Sequence, residues 1–427
     1  MTAKARQAGL AAACEEIWRS ALARLSAARL VGDSLRADPL PAGPVRVMAL
    51  GKAAGPMTEA ALAALGERAR DPLVVLPEGE PVPAGARALR GAHPRPDAGS
   101  RQAGAAILDW AAAGGGATTL VLLSGGGSAL AVAPVEGVRF EDKVEAVAAL
   151  MRAGATIHEL NALRKHLSAL KGGRLGVLLA PAPVEVLVLS DVPGDDLSVI
   201  ASGPLAPDPS TYGDALGHLE RLGVRVPEAV RAHLEAGARG ERPETPKPGD
   251  PRLAGVEHRI LAGPVALARV AAEEARARGF HAEADPSPLA GDVAEVAARA
   301  AAWARAHAGR GPRLLALGGE PTVRVPEGAR APDGGRAQHL ALLAARALAG
   351  LPAALLAAGS DGRDGPTDQA GAAVDGETEA RARRLGLDLG AALAEARSGP
   401  AAVAIGAAIP RLVTGTHLCD LVLVAVE

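Results

Sequence analysis

The stretch that most constrains the fold of this chain is LVLLSGGGSAL, residues 120–130. A run of apolar and branched side chains ends at Ser124, three glycines follow, and small residues begin again at Ser128. This pattern predicts a buried strand, a tight turn and the start of a helix. Glycine permits positive φ angles and close approach of a ligand to the backbone, so the turn is a candidate site for phosphate or carboxylate. A tight turn without a ligand is the alternative.

The same succession of strand, turn and polar side chain recurs along the chain. VRVMALGK brings Lys52 directly after Gly51, VEVLVLSD ends at Asp191, and RLLALGGE ends at Glu320. Alternation of such strands with helical segments predicts a parallel, doubly wound sheet, whose ligands bind beyond the carboxyl ends of the strands. A Lys at such a turn can bind phosphate as a point charge. A solvated loop Lys is the alternative.

Composition limits the classes of function. The length of 427 residues predicts two domains, and the Pro- and Gly-rich stretch 237–252 is the expected boundary. A net charge of −2 and an aromatic content of 1% argue against nucleic-acid binding. The widely spaced Cys14 and Cys419 predict a reducing compartment, and neither a signal peptide nor a membrane span is predicted. We therefore expect a cytoplasmic protein.

The usage of basic residues singles out a second region. Only six of the 46 basic residues are Lys, a bias that fits a GC-rich or thermophilic source. The segment ELNALRKHLSALKGGRL contains two of these lysines and the single Asn of the chain. Helical spacing puts Arg164 and Lys171 on one face, and Asn161 and Lys165 on another. An anion-binding helix is the functional hypothesis, and a solvated charged face is the alternative.

Two acidic loops are candidates for metal binding or proton transfer. SDVPGDDLS contains Asp191 and Asp195 after one strand, and GSDGRDGPTD contains Asp361 after another. Such carboxylates can act as a base or bind Mg²⁺, which needs one or two of them plus substrate phosphates. Asp-rich capping turns are the alternative. Arg336 lies at the mouth of a predicted helix, where an arginine can stabilise a transferring phosphoryl group.

These features together suit ATP-dependent phosphoryl transfer. That chemistry needs phosphate cradles, a carboxylate for Mg²⁺, and one or two cations. The sequence contains neither a GxxxxGK[ST] loop nor a GxGxxG dinucleotide fingerprint. The cradle is therefore predicted in the glycine turns described above.

The motifs in their order resemble the glycerate 2-kinase family that carries a C-terminal MOFRL domain. The resemblance covers nearly the whole chain and is carried by GKAAGPM, HPRPD, LLSGGGSAL, ELNALRKHLSALKGGRL, LSDVPGDDLSVIASGP, GGEPTVRV, GGRAQHLALLAA and GSDGRDGPTDQAGAAVDG. Residues 414–420, TGTHLCD, depart from the longer TGPTGTNVND-like stretch of the family. Similar proteins have also been labelled hydroxypyruvate reductase.

The resemblance implies an α/β protein with two α/β/α domains. The N-terminal domain, residues 1–240, is expected to be Rossmann-like with a doubly wound, mainly parallel sheet, and the C-terminal MOFRL domain, residues 253–427, to have a mixed sheet. The implied activity is phosphorylation of D-glycerate at its 2-hydroxyl by ATP and Mg²⁺, giving 2-phosphoglycerate, in the interdomain cleft. An NAD(P)H-dependent hydroxypyruvate reductase and a non-catalytic sugar-acid-binding protein are the alternatives. A homodimer is an open expectation.

The resemblance also implies roles for individual residues. The expected catalytic residues are Lys52, Arg336 and Asp191, the last as base or metal anchor. The expected nucleotide contacts are Gly51, Ser124, Gly125, Gly126, Gly127, Ser128, Lys171 and Glu320. The expected substrate-binding residues are Asn161, Arg164 and Lys165, and the expected metal ligands are Asp191, Asp195 and Asp361.

Overall fold

A computed structural model of the chain describes residues 3–114, 116–325 and 333–427. Its strands are β1 (Val45–Leu50), β2 (Ala69–Pro77), β3 (Arg87–Gly91), β4 (Thr118–Leu123), β5 (Val184–Leu189), β6 (Val256–Ala262), β7 (His281–Ala284), β8 (Arg313–Gly319), β9 (Ala353–Gly359), β10 (Gln369–Asp375), β11 (Ala408–Pro410) and β12 (Asp420–Val426).

Its α-helices are α1 (Ala3–Arg24), α2 (Ala27–Ala37), α3 (Ala54–Leu65), α4 (Ala98–Ala112), α5 (Gly127–Leu130), α6 (Phe140–Arg152), α7 (Ile157–His166), α8 (Arg174–Leu179), α9 (Tyr212–Arg221), α10 (Glu228–Ala238), α11 (Pro264–Ala277), α12 (Val293–His307), α13 (Arg336–Ala347), α14 (Thr378–Arg384), α15 (Leu389–Ala394) and α16 (Ser398–Ala404). Among these helices, none combines the length and the apolar character that a membrane crossing needs.

The described chain divides into two compact units. The N-terminal unit comprises Ala27–Ser190 and Asp195–Leu261. The C-terminal unit comprises Asp191–Gly194 and Ala262–Glu427, together with the N-terminal segment that ends at Ser26. This division differs from the predicted domain boundaries. Strand β6 joins the N-terminal sheet although it follows the predicted linker, and helix α1 joins the C-terminal unit.

The N-terminal unit is built on a six-stranded sheet with the order β3-β2-β1-β4-β5-β6. Strands β1 to β5 pair in parallel along this order. The sequences VRVMAL of β1 and TTLVLL of β4 are buried almost throughout, as parallel strands covered on both faces must be. The strand order is that of the doubly wound Rossmann fold, so the predicted sheet is confirmed.

Capping residues in the local sequence mark where two of the helices around this sheet begin. Thr156 and Glu159 form a reciprocal capping box at the start of α7, and Asp97 with Ser100 does the same for α4. Helices α6, α7, α9 and α10 share a small core that includes the buried Tyr212. This helical core fixes the position of α7, the helix that carries the predicted substrate residues.

The C-terminal unit is built on a second six-stranded sheet, with the order β11-β10-β9-β12-β8-β7. Strands β8 to β12 pair antiparallel where they are neighbours, and β7 pairs in parallel with β8. The predicted mixed sheet is therefore confirmed. Its core consists mainly of Ala, Leu and Val side chains from the sheet and from helices α12 and α13.

Helix α1 belongs to the C-terminal unit because its buried face packs there. Ile17, Trp18 and Ala21 are completely buried, and α1 lies against β9, β10 and α11. Arg24 at the end of α1 forms ion pairs with Glu273 and Glu274 of α11. Helix α1 thus packs on partners that are distant in sequence.

Candidate active site

The predicted phosphate turns lie at the point where the strand order of the N-terminal sheet reverses. Chain connections run outward from β1 in one direction and from β4 in the other, and these two strands are neighbours. Gly51 and Lys52 follow β1, and the glycine loop, residues 124–128, follows β4. In doubly wound sheets the crevice at such a switch point is where ligands bind.

Direct contacts hold the two turns together. The backbone N–H of Lys52 donates to the Gly125 carbonyl at 2.9 Å, and the N–H of Ala53 donates to Ser124 Oγ at 3.0 Å. Gly51 has a φ of +134°, and a Cβ there would overlap the Ser124 hydroxyl and carbonyl. Only glycine therefore permits this close approach.

The glycine loop presents backbone donors and a nearby cation. None of the described residues accepts a hydrogen bond from the backbone N–H groups of residues 125–128. Gly126 has a φ of +85°, and a Cβ there would lie 3.2 Å from Lys52 Cγ and 3.3 Å from the His93 ring. Lys52 therefore lies beside the glycine loop. Such successive N–H groups beside an ammonium suit an anion.

The helix after the glycine loop is shorter than the sequence suggests. Helix α5 covers only Gly127–Leu130, a single turn, and its backbone leaves helical geometry at Ala131. A helix of one turn has little macrodipole. Any anion affinity of the loop would therefore come from its local N–H groups and from Lys52.

A chain of hydroxyl and amide groups links the glycine loop to helix α7. Ser128 Oγ lies 2.7 Å from Ser202 Oγ, and Ser202 Oγ donates to Asn161 Oδ1 at 2.9 Å. Asn161 is buried, and its Nδ2 is without a hydrogen-bond partner in the described part of the chain. A buried amide N–H without a partner is costly, which makes this group a candidate donor to a ligand.

The other predicted residues of the α7 region have two different environments. Arg164 and Lys171 line a cavity of about 320 Å³, and Ser128 of the glycine loop lines it as well. Lys165 instead forms a buried ion pair with Asp208, with 3.2 Å between Nζ and Oδ1. Its predicted contact with substrate stays a prediction, and the ion pair gives it a structural role.

In the C-terminal unit Arg336 is the centre of an arginine cluster, defined by Arg336, Glu320, Asp364 and Asp420. Arg336 begins helix α13 and binds Asp420 through two hydrogen bonds, Nε to Oδ2 at 2.5 Å and Nη2 to Oδ1 at 3.2 Å. Its Nη1 also donates to Glu320. The pairing of β12 with β8 aligns Asp420 with Gly319, which brings the two carboxylates to one guanidinium.

The electrostatics of the arginine cluster follow from these contacts. Burial opposes the charge of Arg336, but Asp420 and Glu320 outweigh it and hold the pKa of the guanidinium above its ordinary value. Asp364 caps α13 by accepting from the N–H groups of Ala337 and Gln338. Burial and the nearby Asp420 raise the pKa of Asp364 to about 7. The cluster thus combines a fixed cation with a carboxyl that titrates near neutral pH.

A histidine connects two of the predicted metal ligands. His417 Nε2 lies 3.4 Å from Asp191 Oδ2, and His417 Nδ1 lies 3.6 Å from Asp361 Oδ2. The thiol of Cys419 donates to the Asp191 carbonyl at 2.8 Å. These contacts explain why segment Asp191–Gly194 belongs to the C-terminal unit.

The third predicted metal ligand, Asp195, belongs to the N-terminal unit, and its Oδ1 is buried without a hydrogen-bond partner among the described residues. The adjacent Asp196 accepts from the Ser198 N–H at 2.8 Å, as in the capping turn that was the alternative interpretation. Within the described ranges, no group of three or more His, Cys, Asp or Glu side chains is arranged to hold a metal ion.

Comparison with known protein families matches both halves of the chain. A domain of unknown function, DUF4147, matches residues 13–235, and the MOFRL family matches residues 313–420. A glycerate 2-kinase of Pyrococcus horikoshii is 38% identical over 306 residues, which are 70% of this chain and 68% of the relative. The chain belongs to the glycerate 2-kinase family.

Other members of the family agree in fold and differ in name. A crystal structure of glycerate kinase from Thermotoga maritima matches with a TM-score of 0.86 at 35% identity, over 98% of this chain and 100% of that one. A protein of Agrobacterium vitis that carries the provisional name hydroxypyruvate reductase is 36% identical over 390 residues, 89% of this chain and 87% of the relative. The predicted family is confirmed.

Sequence reasoning missed several residues that the structure brings to the predicted sites of this family member. They are Lys143, Ser202, Asp364, His417 and Asp420. Lys143 carried a usable signal, since it is one of only six lysines. Asp364 lies in the acidic loop GSDGRDGPTD that the sequence analysis names as a candidate, but its contact with α13 was not predicted. The contacts of Ser202, His417 and Asp420 had no local signal, because strand pairing and loop packing bring their partners close.

Proposed function

We propose that this chain phosphorylates D-glycerate at its 2-hydroxyl with ATP and gives 2-phosphoglycerate. The observation that carries the proposal is the meeting of Lys52 with the glycine loop at the switch point of the N-terminal sheet. Phosphoryl transfer needs chiefly positioning and charge stabilisation of the phosphates. Family membership supports glycerate as the acceptor.

In this proposal the N-terminal unit binds phosphate. The N–H groups of residues 125–128 cradle phosphate oxygens, with Gly51 and Ser124 fixing the turn. Lys52 supplies the point charge that stabilises the developing negative charge of the transferred group. Asn161 contributes its buried amide to the substrate.

The proposed role of the C-terminal unit is to stabilise charge and move a proton. Arg336 acts as the second cation, and Glu320 and Asp420 orient its guanidinium. Asp191 is the proposed base for the 2-hydroxyl or the anchor of the metal ion, and His417 Nε2 lies 3.4 Å from its carboxylate. A base of this kind needs a fixed orientation toward the hydroxyl that it deprotonates.

Mg²⁺ is part of the proposal because the donors suit it. Asp191 and Asp361 are carboxylates that share one histidine, and Mg²⁺ takes one or two carboxylates together with water and substrate phosphates. These two residues would hold the ion, which when bound neutralises charge on the phosphates. The predicted contribution of Asp195 stays a prediction. The interdomain location of the site, the cytoplasmic localisation, the thermophilic source and a homodimer likewise stay predictions.

The proposal is tested by incubating the purified chain with D-glycerate, ATP and Mg²⁺. We expect ADP release that requires D-glycerate, and phosphorus NMR should identify 2-phosphoglycerate. Lys52→Ala should lower kcat/KM about a hundredfold or more, because a donor to developing charge is lost. Lys247→Ala is the matched control, since Lys247 is bound to Glu244 and has no proposed role.

The name of the Agrobacterium vitis relative makes the reductase the second candidate. The same preparation is therefore tested with hydroxypyruvate and NADH. NADH oxidation without ADP release would contradict the kinase proposal and support the reductase. Tight binding of D-glycerate without either reaction would support the sugar-acid-binding protein.

A further inference from the structure

The N-terminal unit contains one cavity whose chemistry the proposed function does not explain. The cavity of about 320 Å³ is bounded by residues 94–96, by Ser128, by helix α6 and by the α7 region. Side chains of Val144, Val147 and Ala148 on one face of α6 form an apolar wall. Lys143, Arg164 and Lys171 also line this cavity, and we name it the cation cavity.

The two lysines of the cation cavity are buried. Lys143 and Lys171 are each only 3% exposed. Lys143 Nζ donates to the carbonyls of Leu167 and Arg164, at 2.8 and 3.3 Å, and Lys171 Nζ donates to the carbonyl of Ala131 at 2.9 Å. Backbone carbonyls satisfy these donors in part but supply no full negative charge.

No described carboxylate forms an ion pair with Lys143, Arg164 or Lys171. Lys165, another buried lysine of this unit, has such a partner in Asp208. Charged side chains are rarely buried unless they are paired, because desolvation costs several kcal/mol per ion. Lys143, Arg164 and Lys171 therefore form a site of positive charge without a carboxylate partner among the described residues. Arg95 and Arg152 line the same cavity.

Titration behaviour agrees with this geometry. Burial, together with the charges of Lys171, Arg164 and Arg174, lowers the pKa of Lys143 well below its ordinary value. Burial and then Arg164 lower the pKa of Lys171 to about 7, and burial lowers that of Arg164. An anion in the cavity would reverse these effects, since an opposite charge favours the protonated form.

We propose that the cation cavity binds an oxyanion of a small molecule, either the carboxylate of the acceptor acid or a phosphoryl group, through Lys143, Arg164 and Lys171. The inference makes Lys143 a binding residue, and it has Arg164 and Lys171 bind the same ligand as Lys143. The inference deepens the proposed function. It rests on the proposed function in one respect, the choice of D-glycerate as the acid used in the test. The apolar wall of α6 would contact the carbon skeleton of the ligand.

The competing explanation is purely structural. Lys143 reaches the last carbonyls of helix α7, which ends at His166, and a basic side chain there can cap a helix. A capping lysine would affect stability but would leave the affinity for anions unchanged. The test therefore needs a binding measurement besides stability.

The experiment measures binding of D-glycerate and of inorganic phosphate by calorimetry, without ATP, to the full chain. The variants are Lys143→Met and Lys171→Met, which keep side-chain length and remove the charge. Lys247→Met, a lysine paired with Glu244 in the same unit, is the control. We expect each cavity variant to raise Kd about tenfold or more, the loss expected for one charged hydrogen bond, and the control to leave Kd unchanged. If one cavity variant does not fold, the other gives the same comparison.

The outcomes are distinct. Binding of D-glycerate alone identifies the carboxylate of the acceptor, and binding of phosphate alone identifies a phosphoryl group. An unchanged Kd in the folded cavity variants, or wild-type protein that binds neither probe, overturns the proposal.

The kinase assay separates this result from the proposed function. ADP release with an unchanged KM for D-glycerate in both cavity variants, together with an unchanged Kd, would leave the kinase standing and overturn the cavity site. Anion binding that both variants lose, in a chain that releases no ADP, would support the cavity site and contradict the kinase.

Discussion

The cation cavity of the N-terminal unit and the arginine cluster of the C-terminal unit both bury positive charge, but only the arginine cluster supplies carboxylates. Arg336 is bound by Asp420 and Glu320. Lys143 and Lys171 contact only backbone carbonyls among the described residues. A guanidinium whose charge is already balanced by carboxylates is held in one orientation, and in that orientation it can stabilise a transition state.

The charge of the lysines in the cation cavity is left without a carboxylate partner among the described residues, and this has a different consequence. It is stabilised when a ligand brings the opposite charge, and until then it costs folding free energy. The comparison shows that the two units treat positive charge differently. Among the described residues, the N-terminal unit leaves Lys143 and Lys171 without a carboxylate partner, and the C-terminal unit holds the Arg336 guanidinium between two carboxylates. Three predictions test this difference.

The largest effect is expected for Arg336→Lys. Lysine keeps the charge but loses the planar fork that binds Asp420 through two nitrogens, so the cation is no longer oriented. We expect kcat/KM for D-glycerate to fall about a thousandfold, the lower range for arginines that stabilise phosphoryl transfer. Steady-state ADP release measures the loss. Arg346→Lys, at the exposed end of the same helix, is the control, and an equal loss there would refute the role of Arg336.

A smaller but clear difference is expected between two buried lysines of the N-terminal unit. Lys165→Met leaves Asp208 buried without its cation, and we expect the free energy of unfolding to fall by about 3–5 kcal/mol. Lys143→Met removes a buried charge that has no carboxylate partner, which stabilises the fold, but it also removes two hydrogen bonds to backbone carbonyls. These effects oppose each other, so a change within about 1 kcal/mol is expected. Denaturant unfolding of both variants checks the contrast, and equal losses would break the comparison.

The smallest effect concerns the pH dependence of the arginine cluster. The pKa of Asp364 in the folded chain is raised to about 7, above its ordinary value, so the folded state binds a proton that the unfolded state releases. Its contribution to stability is complete below the ordinary pKa and is lost as pH rises through about 7. The slope is at most about 1.4 kcal/mol per pH unit.

Asp364→Asn should remove this slope, because the amide does not titrate. Thermal unfolding between about pH 4 and about pH 8 measures it. Asp368→Asn, an exposed position of the same loop, is the control and should keep the wild-type slope. A wild-type slope that persists in Asp364→Asn would assign the titration to another group.

Much of the fold could be predicted because its signals are local. The apolar runs that end at Gly51, Ser124, Asp191 and Glu320 correspond to strands β1, β4, β5 and β8. The unit to which an element belongs could not be predicted in the same way. Helix α1 and strand β6 pack on partners that are remote in sequence, and their own patterns fit either sheet.

The residues of the candidate site also divide into those that local sequence predicts and those that depend on partners remote in sequence. The glycine loop and Lys52 were predictable, because a strand that ends in glycine and lysine needs no distant partner to indicate a phosphate turn. The roles of His417 and Asp420 were not, since each depends on a residue from another strand end. The cavity role of Lys143 depends on the packing that brings helix α6 and Lys171 to the same cavity.

The sequence by itself determined the class of fold and the doubly wound strand ends, because apolar periodicity and glycine turns are short-range properties. The family came from the resemblance of the ordered motifs to a known family. The tertiary structure alone decided which charges are paired. Pairing depends on strand order and on helix packing, which brought carboxylates to Arg336 and Lys165 and kept them from Lys143 and Lys171. Desolvation gives that difference its energetic weight, since the same lysine costs little in water and much when buried without a counter-ion.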